Sequence, residues 1–130
     1  MTVRQLLQND SAALISAVRS GLSYESFNAL RDTLELSTED FAQLLGIPRR
    51  TLTKRRNEGV FKVSESNAIS RVARVYGETL DFFGDEEDAL RWLKTPLPAL
   101  GSAPLSVLDT DPGADAVSTL LTQLAWGLYP

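Results

Sequence analysis

The 130-residue sequence contains no cysteine and no histidine. Because cysteine is absent, disulfide bridges and thiolate metal sites are excluded, and the chain suits a reducing compartment such as the cytoplasm. Because histidine is absent, the commonest general base, the usual zinc ligands and the histidine-dependent nucleophilic triads are excluded as well. We therefore expect no metal, no cofactor and no catalytic residue, while an enzyme that uses only carboxylates, Lys, Tyr or Ser stays open as an alternative.

Long apolar runs are missing too. No run approaches the roughly 18 apolar residues of a membrane-spanning helix, and the start of the chain has neither the charged nor the apolar segment of a secretion signal. These absences predict a cytoplasmic protein that is not exported and contacts no membrane. With 43% hydrophobic and 23% charged residues, the chain is expected to fold as one domain or as two small ones that share a core.

The charge is distributed unevenly, although the formal net charge is only −4. Residues 1–48 carry three basic and six acidic side chains, residues 49–74 carry eight and two, and residues 75–130 carry two and nine. A segment of net charge +6 therefore lies between segments of −3 and −7. This pattern predicts a polarised molecule with one surface for a polyanion such as nucleic acid.

Helix start and stop signals follow one another along the whole chain, and no alternating pattern indicates a strand ladder. Short apolar stripes at helical spacing begin after side chains that can cap a helix: Asn9, Asp10, Ser11, Ser23, Ser37, Ser64, Asp85 and Thr110. They end at residues that favour the left-handed conformation: Gly21, Gly46, Gly59, Gly84 and Gly127. The sequence therefore predicts an all-α fold of about seven short helices, with the Pro/Gly-rich residues 96–104 as a loop.

Two of these helices, joined at Gly46, indicate a helix-turn-helix DNA-binding region within residues 1–63. Glycine permits the sharp turn between the helices. Pro48 fits the first turn of the second helix, RRTLTKRRN, and Leu52 supplies its apolar contact to a preceding helix. Residues 64–130 are then predicted to form a long connecting or dimerisation helix and a second helical domain.

The basic second helix carries the candidate DNA contacts. If Leu52 faces the core, a spacing of about 100° per residue places four side chains on the opposite face, where they can read base edges. These are Arg50, Thr53, Lys54 and Asn57. Three further cations flank this face and are expected to hold phosphates: Arg49, Arg55 and Arg56. The alternative is a basic helix face that is merely solvated. Because the basic residues lie on the helix that directly follows the turn, DNA binding is favoured.

One short recognition helix contacts only a few base pairs, so useful affinity requires a homodimer on two half-sites. An apolar stripe from Ile69 to Phe83 supplies either that dimer contact or the protein's own core, and the usual behaviour of such stripes favours the core. The carboxylates from Glu86 to Asp88 are expected to form a solvated cluster at a helix start rather than an acid–base pair.

The C-terminal half carries a specific order of motifs. They are the Phe-Gly turn at Phe83 and Gly84, Ala89 with Trp92 and Leu93, Pro98 with Leu100 and Gly101, Pro104 with Leu105, then Leu108, Asp109, Thr110, Gly113, Val117, Leu121 and Gly127. In this order they resemble the toxin-binding domain of the Xre/MbcA/ParS-type antitoxins, and GIPRRTLTKRRNEG upstream is similar to the Xre-like segment of the same family. Pro48 departs from the pattern, because the family often has Ser or Thr at that cap.

The resemblance implies an antitoxin of a RES-Xre toxin–antitoxin system, which represses its own operon as a dimer and binds a RES-domain toxin tightly. Such toxins consume NAD or transfer ADP-ribose from it, and the C-terminal segment of the antitoxin lies over or in the NAD pocket. The residues that would contact the toxin are Trp126, Gly127, Leu128, Tyr129 and Pro130.

Two alternatives to this interpretation stay open. In the first, Leu128 folds back on the last helical turn and Trp126 fills the protein's own core. In the second, the chain is a plain helix-turn-helix regulator whose acidic half dimerises or senses a ligand.

Overall fold

The computed structural model describes residues 6–7 and 11–128, and the predicted all-α fold is confirmed. Residues 11–128 form seven α-helices: α1 Ser11–Ser20, α2 Tyr24–Thr33, α3 Thr38–Leu45, α4 Arg49–Glu58, α5 Val63–Phe83, α6 Glu86–Lys94 and α7 Asp111–Ala125. A 3-10 helix, Pro104–Val107, lies between α6 and α7. In the part of the chain described, no helix is long and apolar enough to span a membrane. Two predicted caps, Asn9 and Asp10, lie outside the described residues.

Local signals determine most of the helix ends, as the sequence predicts. Four caps accept a hydrogen bond from the backbone N–H three residues later, at 2.9–3.1 Å: Ser23, Ser37, Asp85 and Thr110. Gly46 ends α3 in the left-handed conformation, with φ +73°, which a residue with a Cβ adopts only under strain. The turn between α3 and α4 therefore depends on this glycine.

Two helix starts differ from the prediction. α5 begins at Val63, one residue before the predicted cap Ser64. The reason is that the Lys62 N–H donates to Glu65 Oε1 at 2.9 Å, so a side chain inside the first turn supplies the cap. Pro48 is the N-cap residue of α4 rather than part of its first turn, and it makes no side-chain hydrogen bond to the helix.

The chain divides into two compact units, Met1–Ala73 and Arg74–Pro130, with the boundary inside α5. Aromatic rings form the centre of the first unit. Phe27 of α2 stacks on Phe41 of α3 with ring centroids 5.0 Å apart, and Phe61 packs against Phe27 at 5.6 Å. These contacts join α3 and the segment between α4 and α5 to α2. The functional division that we predict between residues 63 and 64 stays a prediction.

The second unit buries apolar side chains from α6, the 3-10 helix and α7: Ala89, Leu93, Leu105, Leu108, Ala114, Val117 and Leu121. Along α5, the side chains of Ile69, Val72 and Tyr76 are buried within the chain. This part of the predicted stripe is therefore core, and a dimer contact through these three side chains is not available, whereas Leu80 and Phe83 at its end are half-buried.

Gly113→Ala should destabilise the second unit. A Cβ at Gly113 would lie 1.7 Å from the Val107 carbonyl oxygen, so the first turn of α7 would have to move away from the 3-10 helix. We expect the free energy of unfolding to fall by about 3 kcal/mol. Thr119→Ala, at an exposed position of the same helix, is the control and should change it by less than about 0.5 kcal/mol. Urea titration measures both, and equal effects would contradict the close contact.

Candidate DNA-binding and toxin-binding surfaces

α4 has one buried and one exposed side. Leu52 is 7% exposed and lies in the core, as the helical wheel requires. We call the exposed side chains of α4 that can face DNA the basic surface: Arg49, Arg50, Thr53, Lys54, Arg56 and Asn57. Arg49 also forms an exposed ion pair with Glu39 of α3. The basic surface contains all four predicted base contacts and two of the three predicted phosphate contacts.

Arg55 is not on this surface, and its predicted position beside the exposed face is corrected. Its side chain is only 6% exposed. The Arg55 Nε donates to Glu65 Oε1 at 2.7 Å, and its Nη1 donates to Glu58 Oε1 at 3.0 Å. A guanidinium that is buried between two carboxylates presents no free surface to a phosphate. Arg55 instead joins α4 to the first turn of α5.

The Arg55–Glu65 pair shifts the pKa values of both groups. Burial raises the pKa of the Glu65 carboxyl, but hydrogen bonds from Arg55 and from the Lys62 N–H together outweigh burial, so the pKa lies below its ordinary value. The hydrogen bond to Glu65 is the largest effect that raises the pKa of Arg55. Both groups are therefore charged at neutral pH, and the charged form of each is stabilised by the other.

Glu65→Gln should lower the Tm by about 5 °C at neutral pH, because the amide cannot compensate the Arg55 charge. A carboxyl whose pKa is lowered by folding stabilises the fold fully above its unfolded pKa, about 4.3, and this stabilisation is lost as the pH falls through the folded pKa. The Tm difference between variant and wild type should thus be constant near neutral pH and shrink in acid. Scanning calorimetry across pH tests this, with the exposed Glu25→Gln as control, and a difference that persists undiminished in acid would refute it.

A groove of about 600 Å³ lies beside the basic surface, between α3 and α4. Arg49, Thr53 and Arg56 line it from α4, and Thr38 and Gln43 line it from α3. The two α3 residues are not among those predicted from the sequence. The sequence could have indicated Gln43, because it lies outside the apolar stripe of α3, the helix that precedes the basic helix α4. DNA that contacts the basic surface would therefore also approach the start of α3.

α7 ends in a Schellman motif. The Leu128 N–H donates to the Gln123 carbonyl at 2.8 Å. The Gly127 N–H donates to the Leu124 carbonyl at 3.1 Å, with φ of Gly127 at +68°. The backbone of Leu128 therefore folds back on the last turn, as one alternative expects. The side chains of Trp126 and Leu128 are nevertheless 76% and 70% exposed, so the alternative that places Trp126 in the core is wrong.

Two other predictions concern the C-terminal half. Glu87 and Asp88 are exposed and form ion pairs with Arg91 at 3.4 and 3.0 Å, so the predicted solvated carboxylate cluster is confirmed. Within residues 6–7 and 11–128, no three His, Cys, Asp or Glu side chains come together as a metal site. Tyr129 and Pro130, two of the predicted toxin contacts, lie outside the described residues.

The fold and the basic surface define a helix-turn-helix protein of the DNA-binding class, followed by a small helical unit with an exposed apolar end. Residues 13–74 match the antitoxin Xre-like helix-turn-helix domain, and residues 80–127 match the antitoxin Xre/MbcA/ParS C-terminal toxin-binding domain. The chain therefore belongs to the Xre/MbcA/ParS antitoxin family, as its resemblance implies.

Two relatives agree with this assignment. The chain is 33% identical over 119 residues to antitoxin Xre of Yersinia enterocolitica serotype O:8, with 89% of this chain and 80% of the relative covered. It is 30% identical over 118 residues to antitoxin Xre of Photorhabdus laumondii subsp. laumondii, with 88% and 80% covered. The protein is thus an antitoxin of a toxin–antitoxin system, with a DNA-binding and a toxin-binding domain.

Proposed function

We propose that this antitoxin neutralises a RES-domain toxin, an enzyme that consumes NAD or transfers ADP-ribose from it, by covering the NAD pocket with residues 126–130. The observation that carries this proposal is the exposure of Trp126 and Leu128 beyond the last helix. A large exposed aromatic side chain beside an exposed leucine is typical of a protein-binding site. The indole ring of Trp126 is flat, like the nicotinamide and adenine rings that such a pocket accepts.

The geometry of the chain end supports this role. The two hydrogen bonds of the Schellman motif hold Gly127 and Leu128 against the last turn of α7, so residues 126–128 have a defined backbone conformation. A segment that is ordered before binding loses less conformational entropy when it enters a pocket. Tyr129 and Pro130 complete the proposed toxin contact.

We also propose that the antitoxin represses its own operon as a homodimer. Arg50, Thr53, Lys54 and Asn57 read base edges, and Arg49 and Arg56 hold phosphates. Arg55 is left out of this set because its guanidinium is occupied by carboxylates. We assign no catalytic residue, metal or cofactor to the chain.

The test combines the antitoxin with the product of the neighbouring gene. Expression of that gene alone should arrest growth and deplete NAD, and co-expression of the antitoxin should restore both. A reporter fused to the operon promoter should be repressed by the antitoxin. A neighbouring product that leaves NAD unchanged contradicts the RES assignment, while a reporter that the antitoxin does not repress contradicts autoregulation alone.

A further inference from the structure

Three aromatic side chains meet at the junction of α5 and α6, within the second unit. Phe82 is 39% exposed, and Phe83 and Trp92 are half-buried. The Phe83 ring contacts both of the others. Its centroid lies 4.8 Å from that of Phe82, in an edge-to-face arrangement, and 5.8 Å from that of Trp92. We call Phe82, Phe83 and Trp92 the aromatic surface.

Packing within the chain explains the positions of Phe83 and Trp92, but not that of Phe82. Phe83 is the last residue of α5 and Trp92 lies in α6, so their contact joins the two helices across the turn at Gly84. Phe82 packs only on the outside of this contact and keeps more than a third of its surface in water. A cluster of aromatic rings with an exposed member is typical of a protein-binding site.

Acidic side chains flank the aromatic surface along the chain. Residues 81–94 carry five acidic and two basic side chains, which gives a net charge of −3. All five carboxylates are exposed, and we call them the acidic margin: Asp81, Asp85, Glu86, Glu87 and Asp88. A partner that covers the aromatic surface meets this margin at the edge of the contact. Such a partner therefore needs an apolar pocket that is bordered by cationic side chains.

We propose that the aromatic surface is the main contact that holds the toxin apart from the chain end, and that it fits an apolar pocket bordered by Lys or Arg on the toxin. The inference rests on the proposed function, in which the product of the neighbouring gene is the toxin. All three rings lie inside the segment that matches the toxin-binding domain, residues 80–127. Charge opposes the other occupants, because DNA is a polyanion and a second copy would bring the same acidic margin to the contact.

The aromatic surface and the chain end then have separate tasks. Residues 126–130 are a short segment, and a stable complex usually buries roughly 800 Å² on each partner, so a further contact is needed for tight binding. The aromatic surface supplies one on a folded part of the unit, where the contact between Phe83 and Trp92 already fixes two of its rings. Fixed side chains lose little conformational entropy on binding. The aromatic surface thus provides affinity, and the chain end provides inhibition.

Phe82→Ala is the direct test. The side chain is exposed, so the helix content should be unchanged, which circular dichroism checks. Surface plasmon resonance with the product of the neighbouring gene should show an affinity at least about tenfold below that of wild type. At saturating concentration the variant should still inhibit NAD loss completely, because residues 126–130 are intact. Val63→Ala, at an exposed apolar residue of the first unit, is the matched control and should bind as wild type does.

The association rate tests the acidic margin, because exposed charges at the edge of an interface act mainly on association. Glu86→Gln combined with Glu87→Gln should lower the association rate constant by about threefold or more at low salt, and high salt should remove the difference from wild type. The control is Glu25→Gln combined with Asp40→Asn, which removes the same charge from the first turns of α2 and α3. Equal rates for the two double variants would overturn the cationic border of the toxin pocket.

A signal from the aromatic surface itself completes the test. The sequence has two tryptophans, Trp92 and Trp126, so the full-length antitoxin labelled with fluorinated tryptophan gives two fluorine resonances, which Trp126→Ala assigns. Unlabelled toxin should shift both resonances. A Trp92 resonance that stays in place while that of Trp126 moves would overturn the inference and leave the proposed function standing, as would wild-type affinity of Phe82→Ala. If the wild-type chain does not bind the neighbouring product at all, the proposed function fails and the inference fails with it.

Discussion

Removal of residues 126–130 should abolish neutralisation of the toxin while the two proteins still bind each other. Trp126 and Leu128 are the most exposed large apolar side chains in the part of the chain described, and the rest of the second unit keeps its own buried core without them. Loss of a buried aromatic contact costs about 2 kcal/mol or more, and several such contacts are lost together. We expect at least about 100-fold more truncated antitoxin to be needed for half-inhibition of NAD loss by purified toxin.

Graded variants separate the contributions within this segment. A chain that ends at Leu128 keeps the two exposed side chains and tests Tyr129 and Pro130, while Trp126→Ala tests the indole ring alone. Thr119→Ala, exposed on the same helix, is the matched control and should inhibit as wild type does. If the chain truncated after residue 125 inhibits normally, the segment is dispensable. If the truncated chain no longer binds the toxin, the segment contributes binding energy rather than blocking the active site.

Combined replacement of Arg50, Lys54 and Arg56 by alanine should reduce operator affinity by about 1,000-fold at physiological salt. Arg56 is expected to differ from Arg50 when changed singly. Arg56→Ala should weaken binding to all sequences and reduce the slope of log K against log salt by about 1. Arg50→Ala should cost about 1–3 kcal/mol on the operator and relax specificity at one base pair. Fluorescence anisotropy at several salt concentrations measures these quantities.

The control for these variants lies in the other unit. Arg91→Ala removes an exposed arginine that pairs with Glu87 and Asp88, so it changes the net charge by the same amount as each single variant without touching the basic surface. Its affinity for the operator should stay within about twofold of wild type. A salt slope that is unchanged in Arg56→Ala would refute the assignment, as would an equal loss of affinity in Arg91→Ala.

Helix ends and the turn were predictable because their causes are local. A capping side chain bonds to an N–H three residues away, and Gly46 reaches the left-handed conformation without help from the rest of the fold. The orientation of α4 followed from Leu52 alone, because one buried residue determines which side of a helix faces out. These signals predict the all-α class and most of the basic surface.

The environment of Arg55 was not predictable in the same way. Its main partner, Glu65, lies ten residues later in the next helix, so the pairing depends on how α4 and α5 pack. Phe83 shows the same limit: helical spacing predicts that a residue belongs to an apolar stripe, but only packing decides how far it is buried. Trp126 is a third case, since the Schellman hydrogen bonds constrain the backbone and leave the direction of the ring undetermined.

In α4, the residues that hold the helix in the core are separate from those that we propose to read DNA. Leu52 and Arg55 are buried, whereas the six side chains of the basic surface are exposed and contribute little to the core. Substitutions on that surface can therefore change the preferred operator at little cost in stability. Duplicated copies of such an antitoxin within one genome can diverge to different promoters through a few point mutations. Because the buried and exposed residues of the helix are separate, one fold can evolve into several repressors that each recognise a different promoter.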